Sequence, residues 1–143
     1  MESFRLIAHN LLFLGGGVLN VILAVFVLIK MNRNIKLIAI VFTLFMLSVA
    51  TFQISHALGI MASDAETSRF IFMFNLANIP IAIFLCHWFL LLSERANTLF
   101  NKIMIPIVYI TGIIMFVFFL IFPETFLLPS VPKLYFPLYY NPG

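Results

Sequence analysis

Residues 70–92, FIFMFNLANIPIAIFLCHWFLLL, contain no Asp, Glu, Lys or Arg, and Arg69 and Ser93-Glu94-Arg95 bracket them. About 23 residues at a rise of about 1.5 Å each cover a hydrocarbon core of about 30 Å. A helix of a water-soluble domain presents a charged face somewhere in such a length, and this run presents none. The stretch is therefore predicted to cross a membrane. Its polar exceptions, Asn75, Asn78, Cys86 and His87, cluster around Pro80 and mark one face as specific.

The rest of the chain has the same character. Of 143 residues, 64% are hydrophobic and 9% charged, against about 25% charged in soluble domains. The fold class expected is all-α: one polytopic bundle, residues 1–143, with four transmembrane helices. The net charge of +3 forms no basic patch interleaved with exposed aromatics, which argues against a nucleic-acid partner. Cys86 is the sole cysteine, so no disulfide can form within the chain. Glu2 precedes Arg5, and no A-x-A-like site follows the first apolar run, so that run is expected to be a retained span rather than a cleaved signal.

Taken in order, the spans are placed at about 6–29, 37–61, 70–92 and 103–122. The first contains Gly15-Gly16-Gly17 and Asn20; in lipid, small residues let a neighbouring helix approach closely, so all three glycines are expected at a helix contact. The loop ASDAETSR before the third span is acidic, and Ser63 or Asp64 is suited to cap a short turn there. Residues 123–143 form a tail with Pro123, Pro129, Pro132, Pro137 and Pro142, which exclude one long helix. Tyr135, Tyr139 and Tyr140 suit the headgroup layer. Lys30, Arg33, Lys36, Arg95 and Lys102 lie in the loops of one side, and Arg5, Arg69 and Lys133 on the other. The positive-inside rule puts the five-residue side in the cytoplasm, both termini outside, and the tail in extracytoplasmic space. Ending at Gly143 without a charged or folded cap points to a fragment or to the first half of a larger membrane domain.

With this orientation, His9, Asn10, Gln53, His56, Asn75 and Asn78 share the outer third of the bundle. Gln53 with His56, and Asn75 with Asn78, are spaced i, i+3, which puts each pair on one helix face. Pro80 removes a backbone hydrogen bond nearby and is expected to bend the span. Two readings stand. The six groups are helix-to-helix hydrogen bonds and nothing more, or Gln53, His56, Asn75 and Asn78 line an outward cavity for a small-molecule or lipid ligand. In the second reading a wetted His56 would add pH sensitivity, since a free imidazole titrates near pH ~6.5. A haem between His9 and His56 is set aside, because Arg5 is the sole basic candidate for a propionate. His87-Trp88 reads as an interfacial anchor beside a packed histidine. No P-loop, paired carboxylates or nucleophile–base pair occurs, so neither an enzyme nor a cofactor or metal is expected.

With spans and loops placed, the layout resembles the N-terminal seven-transmembrane sensor region of bacterial histidine kinases and diguanylate cyclases. The likeness rests on four features. An outer N-terminus leads into span one, a short basic loop with Asn34 follows, the third span reads aromatic–Asn–x–x–Asn–x–Pro then FLCHWFLLLSER, and an outer segment ends in YYNPG. It covers nearly all 143 residues through loose apolar patterns, and spans five to seven and the output domain are not in the sequence. The resemblance implies the sensory input half of a signal-transduction receptor in a bacterial inner membrane, detecting an extracytoplasmic or membrane-borne signal. Its partners would be the lipid bilayer and other transmembrane helices. The competing expectation is an accessory subunit of a larger integral membrane complex.

Overall fold

The computed structural model of the chain describes residues 2–31, 36–93, 98–133 and 136–142, with side chains for 6–31, 36–93, 98–125, 127 and 131. Arg33, Asn34, Arg95 and Tyr135, and the side chains of Arg5, Lys133, Tyr139 and Tyr140, lie outside the described residues. The elements are α1 (Glu2–Lys30), α2 (Lys36–Met61), α3 (Ala65–Phe72), a 3₁₀ turn (Met73–Ala77), α4 (Asn78–Leu92), α5 (Leu99–Ile121), α6 (Pro123–Phe126), β1 (Leu127–Lys133) and β2 (Phe136–Pro142). Among the described residues, four helices are long and apolar enough to cross a membrane: Leu6–Lys30, Lys36–Met61, Ala65–Leu92 and Leu99–Ile121.

The third span starts at Ala65 rather than at residue 70 because of its cap. Asp64 is extended and accepts the Thr67 amide at 2.8 Å, while Ser63 Oγ donates to the same carboxylate at 3.1 Å. Glu66 adds negative charge to the first turn, where the exposed amides favour it. The expected short turn is thus the beginning of the span itself. Pro80 has no amide proton to give the Leu76 carbonyl, and the disturbance appears just upstream: residues Met73–Ala77 tighten into 3₁₀ geometry before α4 resumes.

The helices form an open row. α1 lies along α2, α2 packs on α3 and α4, and α5 packs on α4; α1 and α5 share no substantial contact. Exposed Leu, Ile, Val and Phe cover the outer faces of both, as hydrocarbon permits and water does not. Within the row, Trp88 of α4 packs against Phe42 and Phe45 of α2 at ring-centroid distances of 5.1 and 6.5 Å. The residue expected as an interfacial anchor makes a helix contact. The buried Asn101 donates from Nδ2 to the Leu90 carbonyl at 3.2 Å, serving one of the carbonyls that the end of α4 leaves open.

The tail departs from the all-α expectation. β1 and β2 pair antiparallel, with irregular register between Leu128 and Val131 and between Val131 and Lys133. Pro129 and Pro132 have no amide proton to donate to a ladder, which accounts for an irregular one. The hairpin lies against α2 and α3. Leu127, 4% exposed, joins Ile60 and Phe72, with Leu6, Met73 and Phe119 around them. Prolines excluded a long helix, but they did not prevent a folded cap.

Candidate functional site

Two i, i+4 pairs of histidine and phenylalanine build the centre of the hairpin end. His9 stacks on Phe13 within α1, with ring centroids 4.6 Å apart, and Phe52 lies 5.8 Å from His56 within α2. The two helices run antiparallel, so the pairs interleave. His56 is 4.7 Å from Phe13 and 5.6 Å from His9, and Phe72 of α3 closes the box edge-on at 5.7 Å. His56 is buried, one turn below Ile60 and so beneath the cluster that Leu127 completes. Three helices meet on one imidazole.

Below the box the polar side chains sort into pairs. Asn20 Nδ2 donates to Gln53 Oε1 at 2.9 Å, joining α1 to α2. Ser55 Oγ lies 3.0 Å from the Phe52 carbonyl oxygen and 3.1 Å from Asn75 Oδ1. One hydroxyl proton serves one acceptor; turning the Asn75 carboxamide by half lets its NH₂ donate to Oγ, and both bonds are then made. In a membrane such pairs are each worth about 0.6 kcal/mol on average. Asn10 Oδ1 and Thr43 Oγ1 are buried with no hydrogen-bond partner among the described residues.

The glycines divide as well. A Cβ on Gly16 would meet the Gln53 carboxamide at 3.1 Å, and one on Gly17 would meet Ile54 Cγ1 at 2.6 Å. These two let α1 approach α2 closely enough for the Asn20–Gln53 bond. Gly15 faces away, with nothing within 4 Å of where its Cβ would stand. The expectation that all three share the contact is corrected to two, because at 100° per residue three successive positions cannot occupy one face.

Of the four candidate ligand-binding residues, the structure brings three into one neighbourhood. Gln53 and His56 face α1, and Asn75 faces α2. Asn78 stands apart: it is exposed, beside a groove of about 440 Å³ between α4 and α5 that Cys86, Thr111 and Gly112 also line. Asn75 lies in the 3₁₀ turn and Asn78 opens α4, and across that change of helix geometry the i, i+3 spacing does not keep the two on one face. A single four-residue pocket is therefore not formed. The residues not singled out for the site were Phe13, Phe52 and Phe72; matched His–Phe spacings in α1 and α2 were the signal available for the first two.

A second polar link joins the other end of the row, where His87 Nδ1 lies 2.9 Å from the Tyr109 hydroxyl. Among the described residues no three His, Cys, Asp or Glu side chains are grouped so as to hold a metal ion. Comparison with known proteins finds no matching family model, no matching curated protein and no matching solved structure.

Proposed function

We propose that this chain is the membrane-embedded input segment of a signal-transduction receptor and that the signal enters at its hairpin end. The observation that carries the reading is the His56 box. One buried imidazole touches rings from α1, α2 and α3 beneath the tail, so any event that moves the tail or the ring is felt by three spans at once. The contact through Gly16 and Gly17 has no interlocking side chains on α1, which suits a small shift of α1 along α2 between two packed arrangements. The Asn20–Gln53 and Ser55–Asn75 bonds hold the register of each arrangement. The resemblance of the sequence to histidine-kinase sensor regions agrees with this assignment, and the basic loops then face the cytoplasm, where an output domain would be driven.

The test is to read the output of the full-length protein carrying this segment. His56→Ala and Asn75→Ala are expected to insert normally and to lose most of the response; an unchanged response across extracytoplasmic ligands, lipids and pH would reduce the box to helix packing. Labelling of Asn32→Cys in intact cells checks the orientation, with protection from an impermeant thiol reagent expected.

A second reading has its own observation. α5 is held chiefly by α4 and Asn78 is exposed near the middle of its span, as in a subunit completed by other helices. Co-purification of a stable heteromeric complex, with no output domain encoded beyond residue 143, would favour it.

A further inference from the structure

We propose that the groove between α2, the third span and α5 holds one acyl chain of a zwitterionic phospholipid, with the phosphate on Arg69 and the amine beside Glu124. The site stands independently of the sensory reading.

The groove has a volume of about 460 Å³ and is lined by Leu47, Phe70, Phe74, Phe116 and Leu120, among others. Its walls belong to helices apolar enough to span a membrane, and Phe70 and Leu120 are 63% and 51% exposed, so it opens to the hydrocarbon side. The two hydroxyls that line it spend their protons within α2 and offer a guest no donor. Ser48 Oγ donates to the Leu44 carbonyl at 2.8 Å and Thr51 Oγ1 to the Leu47 carbonyl at 2.9 Å. Hydrocarbon is the occupant such a lining accepts.

The mouth carries the headgroup chemistry. Arg69 stands one residue before Phe70 on one wall, and Glu124 four residues after Leu120 on the other. They form an ion pair at 3.5 Å that joins α3 to α6, with side chains 34% and 84% exposed. A guanidinium is the side chain best matched to phosphate. Asp64, Glu66 and Glu124 are also at this end, so negative charge exceeds positive among the described residues. A purely anionic headgroup is opposed by that excess. Phosphatidylethanolamine meets both signs, placing its phosphate on Arg69 and its ammonium against Glu124.

The full chain, purified in a neutral detergent, is offered phosphatidylethanolamine or phosphatidylglycerol with matched acyl chains, and retained lipid is counted by native mass spectrometry. Phosphatidylethanolamine should be retained about fivefold over phosphatidylglycerol, the scale of one exposed charge contact. Arg69→Gln should weaken both lipids, and Ser48→Phe, which fills the groove, should remove both. Glu124→Gln, at an exposed position that leaves packing intact, should bring phosphatidylethanolamine down to the level of phosphatidylglycerol. Equal retention of the two lipids by the wild-type chain, or wild-type selectivity in Glu124→Gln, would overturn the proposal. Displacement by soluble glycerophosphoethanolamine would overturn it too, assigning the mouth to a free headgroup.

Discussion

The two outer helices are attached in different ways. α1 meets α2 along most of its length, through Gly16, Gly17, the Asn20–Gln53 bond and the interleaved His–Phe pairs. α5 meets chiefly α4, through Gly112, the His87–Tyr109 bond and Asn101, and reaches the hairpin-end cluster only by Phe119 among the described residues. Both outer faces are equally apolar, so hydrophobicity does not distinguish them. In a bilayer, lipid tails satisfy apolar surface as well as a neighbouring helix does, and what remains to hold helices together is close approach and hydrogen bonding. The α1–α2 seam is the longer close approach, although the α4–α5 seam has as many hydrogen bonds, and it is the α1–α2 seam that contains the candidate site.

That comparison can be broken most decisively at Gly17. Gly17→Leu puts side-chain atoms onto Ile54 and towards the Ala50 carbonyl, and should cost about 3 kcal/mol by overpacking, measured by denaturant unfolding in micelles. Gly15→Leu, facing open space, should stay within about 0.5 kcal/mol of wild type. His56→Ala should come next, at about 2 kcal/mol, from the cavity left among four rings. If it costs nothing, the box is not packed as described.

Gly112→Leu sharpens the other side of the comparison. The added side chain meets Ile83, which borders the groove between α4 and α5 and has room to turn. About 1 kcal/mol is expected, well under the Gly17 value, because the α4–α5 seam yields more easily. A cost equal to that of Gly17→Leu would erase the distinction between the seams.

The smallest effect is at the cap of α3, where the Thr67 amide, first of all, holds the Asp64 carboxyl below its ordinary value. A depressed folded value means the cap contributes above the unfolded pKa of about 3.9 and is lost as pH falls through the folded one. Asp64→Ala should therefore lower the melting temperature slightly at pH 7 and not at all at the acid end of that window.

What the sequence made legible follows from what lipid imposes. Uninterrupted apolar runs fixed four spans, because an unpaired backbone cannot cross hydrocarbon in any other way than as a helix or closed barrel. The start of the third span was displaced because Glu66 and Arg69 looked like loop residues, although a capped first turn carries charges readily. The hairpin was hidden by its prolines, which mark irregularity without saying whether the segment packs. At the site, His56, Gln53 and Asn75 stood out as polar residues in apolar runs. Their partners did not, since a phenylalanine beside a histidine looks like any other among 18, and the rotation of each helix about its own axis is settled only by its neighbours. Asn78 stands apart from the other three for that reason.

Hydrogen–deuterium exchange of the chain in micelles, followed by mass spectrometry of its peptides, measures the difference between the seams most directly. Local opening follows the stability of each packed unit. The account predicts that peptides from α2, between residues 50 and 61, exchange last together with those of α1 facing them, and that peptides from α5 exchange first among the four spans. Exchange of α5 as slow as that of α2, or faster exchange in α1 than in α5, would contradict it.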